Sequence, residues 1–416
     1  VKRRTAARTC GPARGLLGPS GSVRTAGRKF PPPIGQLVED FVKLVVRWSC
    51  STLLVALVVG CTDRTERSPS TGLQQADGSP LVVVVDSTVL AEPDSLPLGR
   101  FVDVAVDGRG RIYLTNGGAT GQIHRYSRNG DFELAWGRGG SGPGEYQGPS
   151  MVHPFPGDTI GAIVDVPTGR FTVVDLRNGA VREEFPVPFQ GTGKQWYVTD
   201  STATFSLPLN STLVGIWHLG QDSAQTIGPL PNDLMSAFPT YMQYGHLEVI
   251  PWGEGYLAQI PALPGLHLLD HDGTITRQIA VPARRRRGQA PDLVSQHARL
   301  EADGKPFKYL GSLSATLGIL STGEVAMVQV DLDAVKGPRR REISNVKYYV
   351  SILSPDLSQA CLDAPVPFVS ESEYPFLHLT GDTLVGLSRR VLDNDVVRTI
   401  VYRYKVSSEG CEWVPL

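Results

Sequence analysis

Signatures of catalysis are scarce in this chain of 416 residues. It has no H-E-x-x-H, no C-x-x-C and no Walker loop, so none of these motifs points to zincin, thioredoxin-like or P-loop chemistry. "GGSGP" (Gly139–Pro143) puts proline where a nucleophile elbow requires glycine. Charge is also sparse: charged residues make up 19% and the formal net charge is −1. That average hides an asymmetry, because residues 1–61 are strongly basic and the remainder is acidic. An acidic body is a poor partner for nucleic acid, whose binding rests on neutralising phosphates. No apolar run approaches the roughly 20 residues a membrane-spanning helix needs. What the chain has in quantity is 45 glycines and 32 prolines, spread along its length, which implies many short elements joined by turns.

The basic N-terminal portion reads as an address. Lys43 and Arg47 precede a short apolar run, Ser51–Gly60, which has the form of a secretory signal core. The run ends in Val58-Val59-Gly60-Cys61, which resembles the lipobox of bacterial lipoproteins. That resemblance implies lipidation of Cys61, cleavage before it, and a membrane-anchored protein facing the periplasm or the cell exterior. Stable anchoring needs more than one acyl chain, which this family supplies. Residues 1–37 are rich in Arg, Gly and Pro without apolar periodicity, and are read as an over-extended start or a genuine basic tail. Residues 62–80 are polar and aperiodic and read as a flexible tether.

From Leu81 to Leu416 the pattern is one of short strands and turns. "LVVVV" (Leu81–Val85) predicts a buried strand. "FVDVAVDGRGRIYLTN" and "QIHRYSRNGDFELAWG" predict two hairpins, the second turning at Asn129-Gly130. The arrangement recurs with turns at Asn178-Gly179 and Asp272-Gly273. Six such units of about 40–60 residues, the third weak, predict an all-β, six-bladed β-propeller of four-stranded antiparallel blades. Leu81–Val85 is expected to pair with the last blade and close the ring. Residues 283–308 break the period and predict an inserted segment. Within it, a short helix is expected after Pro291, and the Arg284–Arg287 run is expected as a solvated loop or a contact for an acidic partner. The acids Glu183, Glu184, Asp331 and Asp333 are likewise expected in solvent.

"WGRGGSGPGEYQGP" (Trp136–Pro149) contains G-x-G-x-x-G at Gly137, Gly139 and Gly142, the spacing of a dinucleotide cradle. Such a cradle must open a helix, and Pro143, Gly144, Gly148 and Pro149 will not hold one, so no nucleotide is expected. Val104–Pro149 instead resembles the NHL-type repeat of bacterial six-bladed propellers, through Asp107, Gly110, Ile112, Tyr113, Ile123, Tyr126 and the linker Gly142, Pro143, Gly144, Glu145, Tyr146 and Pro149. The resemblance implies that these glycines carry the chain from an outer strand to the next inner one.

Candidate chemistry is limited to two sets of residues. His153, His246 and His378 lie near the starts of even-numbered units, and on alternate inner strands they could converge on the channel and hold a divalent metal. Peptide-amidating lyases of similar fold give that arrangement a precedent by resemblance. Against it, the three stand at different offsets from the turns that follow, and a one-residue shift reverses a strand side chain. Without the leader and with Cys61 lipidated, Cys361 and Cys411 are the remaining thiols. A bridge between them would close a loop of about 50 residues, provided that their Cα atoms come within about 7 Å. The leading functional expectation is a non-enzymatic binding or scaffold module for a protein, peptide or glycan, with no cofactor. The alternative is a metal-dependent lyase or hydrolase working in the channel.

Overall fold

Strand sequences that alternate in polarity must bury one face, and here six small sheets bury both faces by stacking side by side in a ring. The computed structural model describes residues 81–416 except 94–95, 97, 99, 118–119, 156, 187–195, 200, 207–211, 220, 222, 230–246, 261–264, 289–306, 337–340, 368–375 and 392–396. The chain is an all-β, six-bladed propeller. Blade one is β2 (Arg100–Val106), β3 (Ile112–Gly117), β4 (Gln122–Tyr126) and β5 (Phe132–Trp136). Blade two is β6 (Pro149–Pro154), β7 (Ile160–Asp165), β8 (Arg170–Asp175) and β9 (Val181–Pro186). Blade three is β10 (Trp196–Val198), β11 (Thr202–Ser206), β12 (Thr212–His218) and β13 (Gln225–Pro229). Its two inner strands, too short to stand out in the sequence, explain why that unit reads as weak. Blade four is β14 (Glu248–Trp252), β15 (Gly255–Gln259), β16 (Leu266–Leu269) and β17 (Ile275–Ile279).

Blade five departs from four strands. Its β18 (Phe307–Ile319), β19 (Val325–Lys336) and β20 (Arg341–Leu353) are longer than their counterparts in every other blade, and β21 (Gln359–Pro365) pairs with a fifth strand, β25 (Val414–Pro415). Blade six is β22 (Phe376–Thr380), β23 (Thr383–Val391) and β24 (Val397–Val406), completed by β1 (Val82–Val89). The first strand therefore closes the ring, as its position before the first complete unit suggests. It is not buried, however. As the outermost strand it turns Val82 and Thr88 inward, while Val83, Val84 and Val85 are exposed.

The core is divided among the six interfaces. Alternation along a strand sends successive side chains to opposite neighbours: Val104 packs with Val385 and Leu387 of blade six, whereas Ala105 packs with Val152 and Ile163 of blade two. Each adjacent pair of blades owns one such cluster; Phe171, Phe205 and Trp217, for example, pack between blades two and three.

Polar fastenings reinforce the perimeter. The buried Arg403 of blade six donates to Asp86 (2.8 Å) and Thr88 (3.1 Å) on β1 and reaches the Gly110 carbonyl of blade one. The Arg284–Arg287 run is solvated only in part: Arg284, Arg285 and Arg287 are exposed, and Arg286 is buried. Arg286 is 7% exposed and donates through Nε to Asp363 (2.8 Å), and the same carboxylate accepts the main-chain N–H groups of Arg284, Arg285 and Arg286. Arg287 pairs with Asp333 (2.5 Å), and its N–H donates to Asp331 (2.8 Å). Asp331 and Asp333 are consequently buried rather than solvated. The acidic partner of the arginine run is the chain's own blade five. The helix expected after Pro291 lies outside the described residues.

Candidate functional site: the central channel

The glycine-rich stretch Trp136–Pro149 joins the outermost strand of blade one to the innermost strand of blade two. Gly137 (φ 82°) and Gly144 (φ 68°) take left-handed backbone, and a Cβ on Gly137 would stand 2.7 Å from the Tyr146 ring. The loop is locked to blade two: Asp165 accepts the N–H groups of Gln147 and Gly148 (both 2.9 Å), and Arg170 donates to the carbonyls of Gly142 and Glu145. Glu145 itself accepts the Gly142 N–H (2.8 Å) and pairs with Arg138. Every polar group named here has a partner within the protein, so the stretch is a blade linker.

The six innermost strands surround a cavity of about 880 Å3 that extends to the turns between first and second strands, at Gly108, Gly157 and Gly381. Cavities of this size hold small ligands when mostly apolar walls carry a few placed polar groups. The walls are unequal. Blade three contributes Trp196 and Val198, blade four Val249 and Ile250, and blade five Leu317 and Ile319. Trp196 is held flat against Phe205, with ring centroids 4.6 Å apart. The ionisable groups cluster on three consecutive blades: His378 from blade six, Asp103 from blade one and His153 from blade two.

An innermost strand is a sheet edge, and two of these side chains bridge from one edge to the next. Asp103 Oδ2 accepts the Val152 N–H (3.3 Å), and the His153 ring hydrogen-bonds the backbone of Val198. Burial holds His153 down at about 4 against that hydrogen bond. His378 is also lowered to about 4, by burial and then by the neighbouring His153. Both imidazoles are thus neutral at pH 7. Asp103 is raised to about 7 by burial, opposed only by main-chain donors at Val152 and Val104.

His153 and His378 therefore do share the channel, while His246 lies outside the described residues, as does Cys61. Among the described residues no three His, Cys, Asp or Glu side chains converge to hold a metal ion. Cys361 and Cys411 are joined by a disulfide, their Cα atoms 5.8 Å apart. The closeness arises because the C-terminal segment returns from blade six to lie along β21 of blade five, so the two cysteines do not occupy equivalent strands of neighbouring blades. Asp103 was not singled out from sequence. Its one signal is a carboxylate inside the otherwise apolar run "FVDVAV".

No family model matches the chain, and no curated protein does. Solved structures do. One is a protein of Bacteroides fragilis NCTC 9343 assigned as exported, at 10% identity and a TM-score of 0.50, aligned over 80% of this chain and 98% of that one. Another is a member of the DUF4221 family from Bacteroides vulgatus, at 9% identity and a TM-score of 0.53, over 80% of this chain and all of that one. At such identities the likeness is one of fold: this chain is a six-bladed β-propeller of the architecture found in those Bacteroides proteins.

Proposed function

We propose that the chain is an exported, lipid-anchored propeller that acts as a non-enzymatic binding module, with the central channel as its ligand site. The cavity of about 880 Å3, walled mainly by apolar side chains and carrying a few ionisable groups on one side, is the observation that carries this reading. The address rests on the signal-like run and the lipobox-like Val58–Cys61. Pairing of Cys361 with Cys411 fits an oxidising compartment. The NHL-type character of the repeat rests on the Val104–Pro149 motif. The partner classes are a peptide, a protein segment or a glycan able to enter from the turn face.

Peptide and glycan arrays probed with the wild-type chain and with Leu377→Trp, which narrows the channel, test the reading. Leu377 lines the cavity from blade six. Ligands recognised by the wild type should lose at least tenfold in affinity on the narrowed variant. Equal binding by both would move the site to the outer surface and overturn the proposal.

A further inference from the structure

The charges lining the channel do not balance. Among the described lining residues there is no lysine or arginine, but there are three aspartates, Asp103, Asp107 and Asp158. Two of them are already matched. Asp107 accepts Arg111 Nε (2.7 Å), two main-chain N–H groups and the Tyr113 hydroxyl. Asp158 accepts the Gly108 N–H (2.9 Å) and stands 3.9 Å from Arg109 Nε. Among the described residues Asp103 has only main-chain donors.

Among the described residues, the elements packed on β2 do not supply the missing cation. On β3, Tyr113 points its hydroxyl at Asp107. On β6 and β22 stand the two histidines, both held neutral at pH 7. On β23, Arg389 donates to the Leu98 carbonyl (2.6 Å). A carboxylate in a largely apolar cavity is stabilised chiefly by an opposite charge brought to it.

Taking the channel as the ligand site, we propose that it receives a primary ammonium on an apolar body, the ammonium against Asp103 and the body on the walls from blades three to five. The geometry suits such a ligand. Asp103 lies on the ionisable side of the cavity, facing walls that include Trp196, Val249 and Leu317. Those walls offer apolar contact and an aromatic ring. A peptide amino terminus followed by an apolar residue has this chemistry, as does a simple arylalkylamine. A carboxylate ligand does not, since it would meet Asp103 with nothing positive to offset the repulsion.

The ligand class also fixes a pH response. An alkylammonium stays charged well above pH 8, so between pH 6 and pH 8 the group that changes is Asp103. If the ammonium binds the ionised carboxylate, affinity rises with pH, by about tenfold across that interval for a group titrating near 7. Binding then releases a proton below pH 7.

Calorimetry on the full chain with 3-phenylpropylamine, 3-phenylpropanol and 3-phenylpropionate, three probes with one carbon skeleton, separates the possibilities. The expected result is binding in the order amine, alcohol, acid, with the amine gaining about tenfold from pH 6 to pH 8. Asp103→Asn keeps an oxygen for the Val152 N–H and should lose the amine preference while retaining the alcohol. Proton release by the wild type, measured in two buffers of different ionisation enthalpy, reads the same claim without a variant. If alcohol and amine bind equally at both pH values, the ammonium inference fails and the channel remains a ligand site. If none of the three binds, both readings fall.

Discussion

The perimeter of the ring and its channel use ionisable residues in opposite ways. At the perimeter three arginines are matched by carboxylates of the same chain: Arg286 with Asp363, Arg287 with Asp333, and Arg403 with Asp86. In the channel Asp103 is left with main-chain donors, and two histidines are held neutral beside it. The contrast teaches how to tell the two roles apart. Asp165, also without a cation among the described residues, spends its oxygens on the linker's N–H groups, whereas Asp103 lines a cavity that a ligand can enter. Breaking the first kind should cost stability and leave binding intact; breaking the second should do the reverse.

The largest effect is expected at Asp363→Ala. It strands a buried guanidinium and removes the acceptor of three main-chain N–H groups. Loss of one partner from a buried pair costs about 3–5 kcal/mol, read as a lowered denaturant midpoint at unchanged slope. Next is the disulfide. Replacing Cys361 and Cys411 by serine frees a loop whose ends are 50 residues apart, at a cost of about 2–4 kcal/mol. Because Cys361 and Asp363 lie on the same strand, the combined variant should depart from additivity. Neither change should alter binding of an amine probe, and a parallel loss of affinity would erase the distinction between perimeter and channel.

Much of the fold is legible in the sequence because period-two alternation and the Asn-Gly and Asp-Gly turns are local signals, as in "QIHRYSRNGDFELAWG". The glycine linker is legible for the same reason: Pro143 and Gly144 forbid a helix within the motif itself. What stayed hidden depends on distant partners. A run of four arginines looks solvated until Asp363, 77 residues away from Arg286, is brought beneath it. Val83–Val85 look buried by composition, yet β1 is the outermost strand and only one of its faces meets a neighbour. The candidate site shows the same limit. Histidines stand out by rarity, so His153 and His378 could be named from sequence. Asp103, one acid among many, becomes distinctive only when the ring assembles and no lysine or arginine stands among the described residues that line the channel with it.

The dependence of stability on pH bears most directly on that point. Wild type and Asp103→Asn are unfolded by denaturant from pH 4 to pH 8, and the difference in unfolding free energy is followed with pH. Asp103 is raised from 3.8 to about 7 in the folded protein, so the folded state holds its proton more tightly than the unfolded chain. Wild-type stability from this group therefore falls as pH rises from about 4 to about 7 and then levels off. The asparagine variant lacks that loss, and the histidine contributions cancel in the difference. Asp103→Asn is expected to gain on the wild type as pH rises and to be the more stable of the two at pH 8. A variant that loses ground as pH rises would show a carboxylate already partnered in the fold, and would contradict the assignment of Asp103 to recognition.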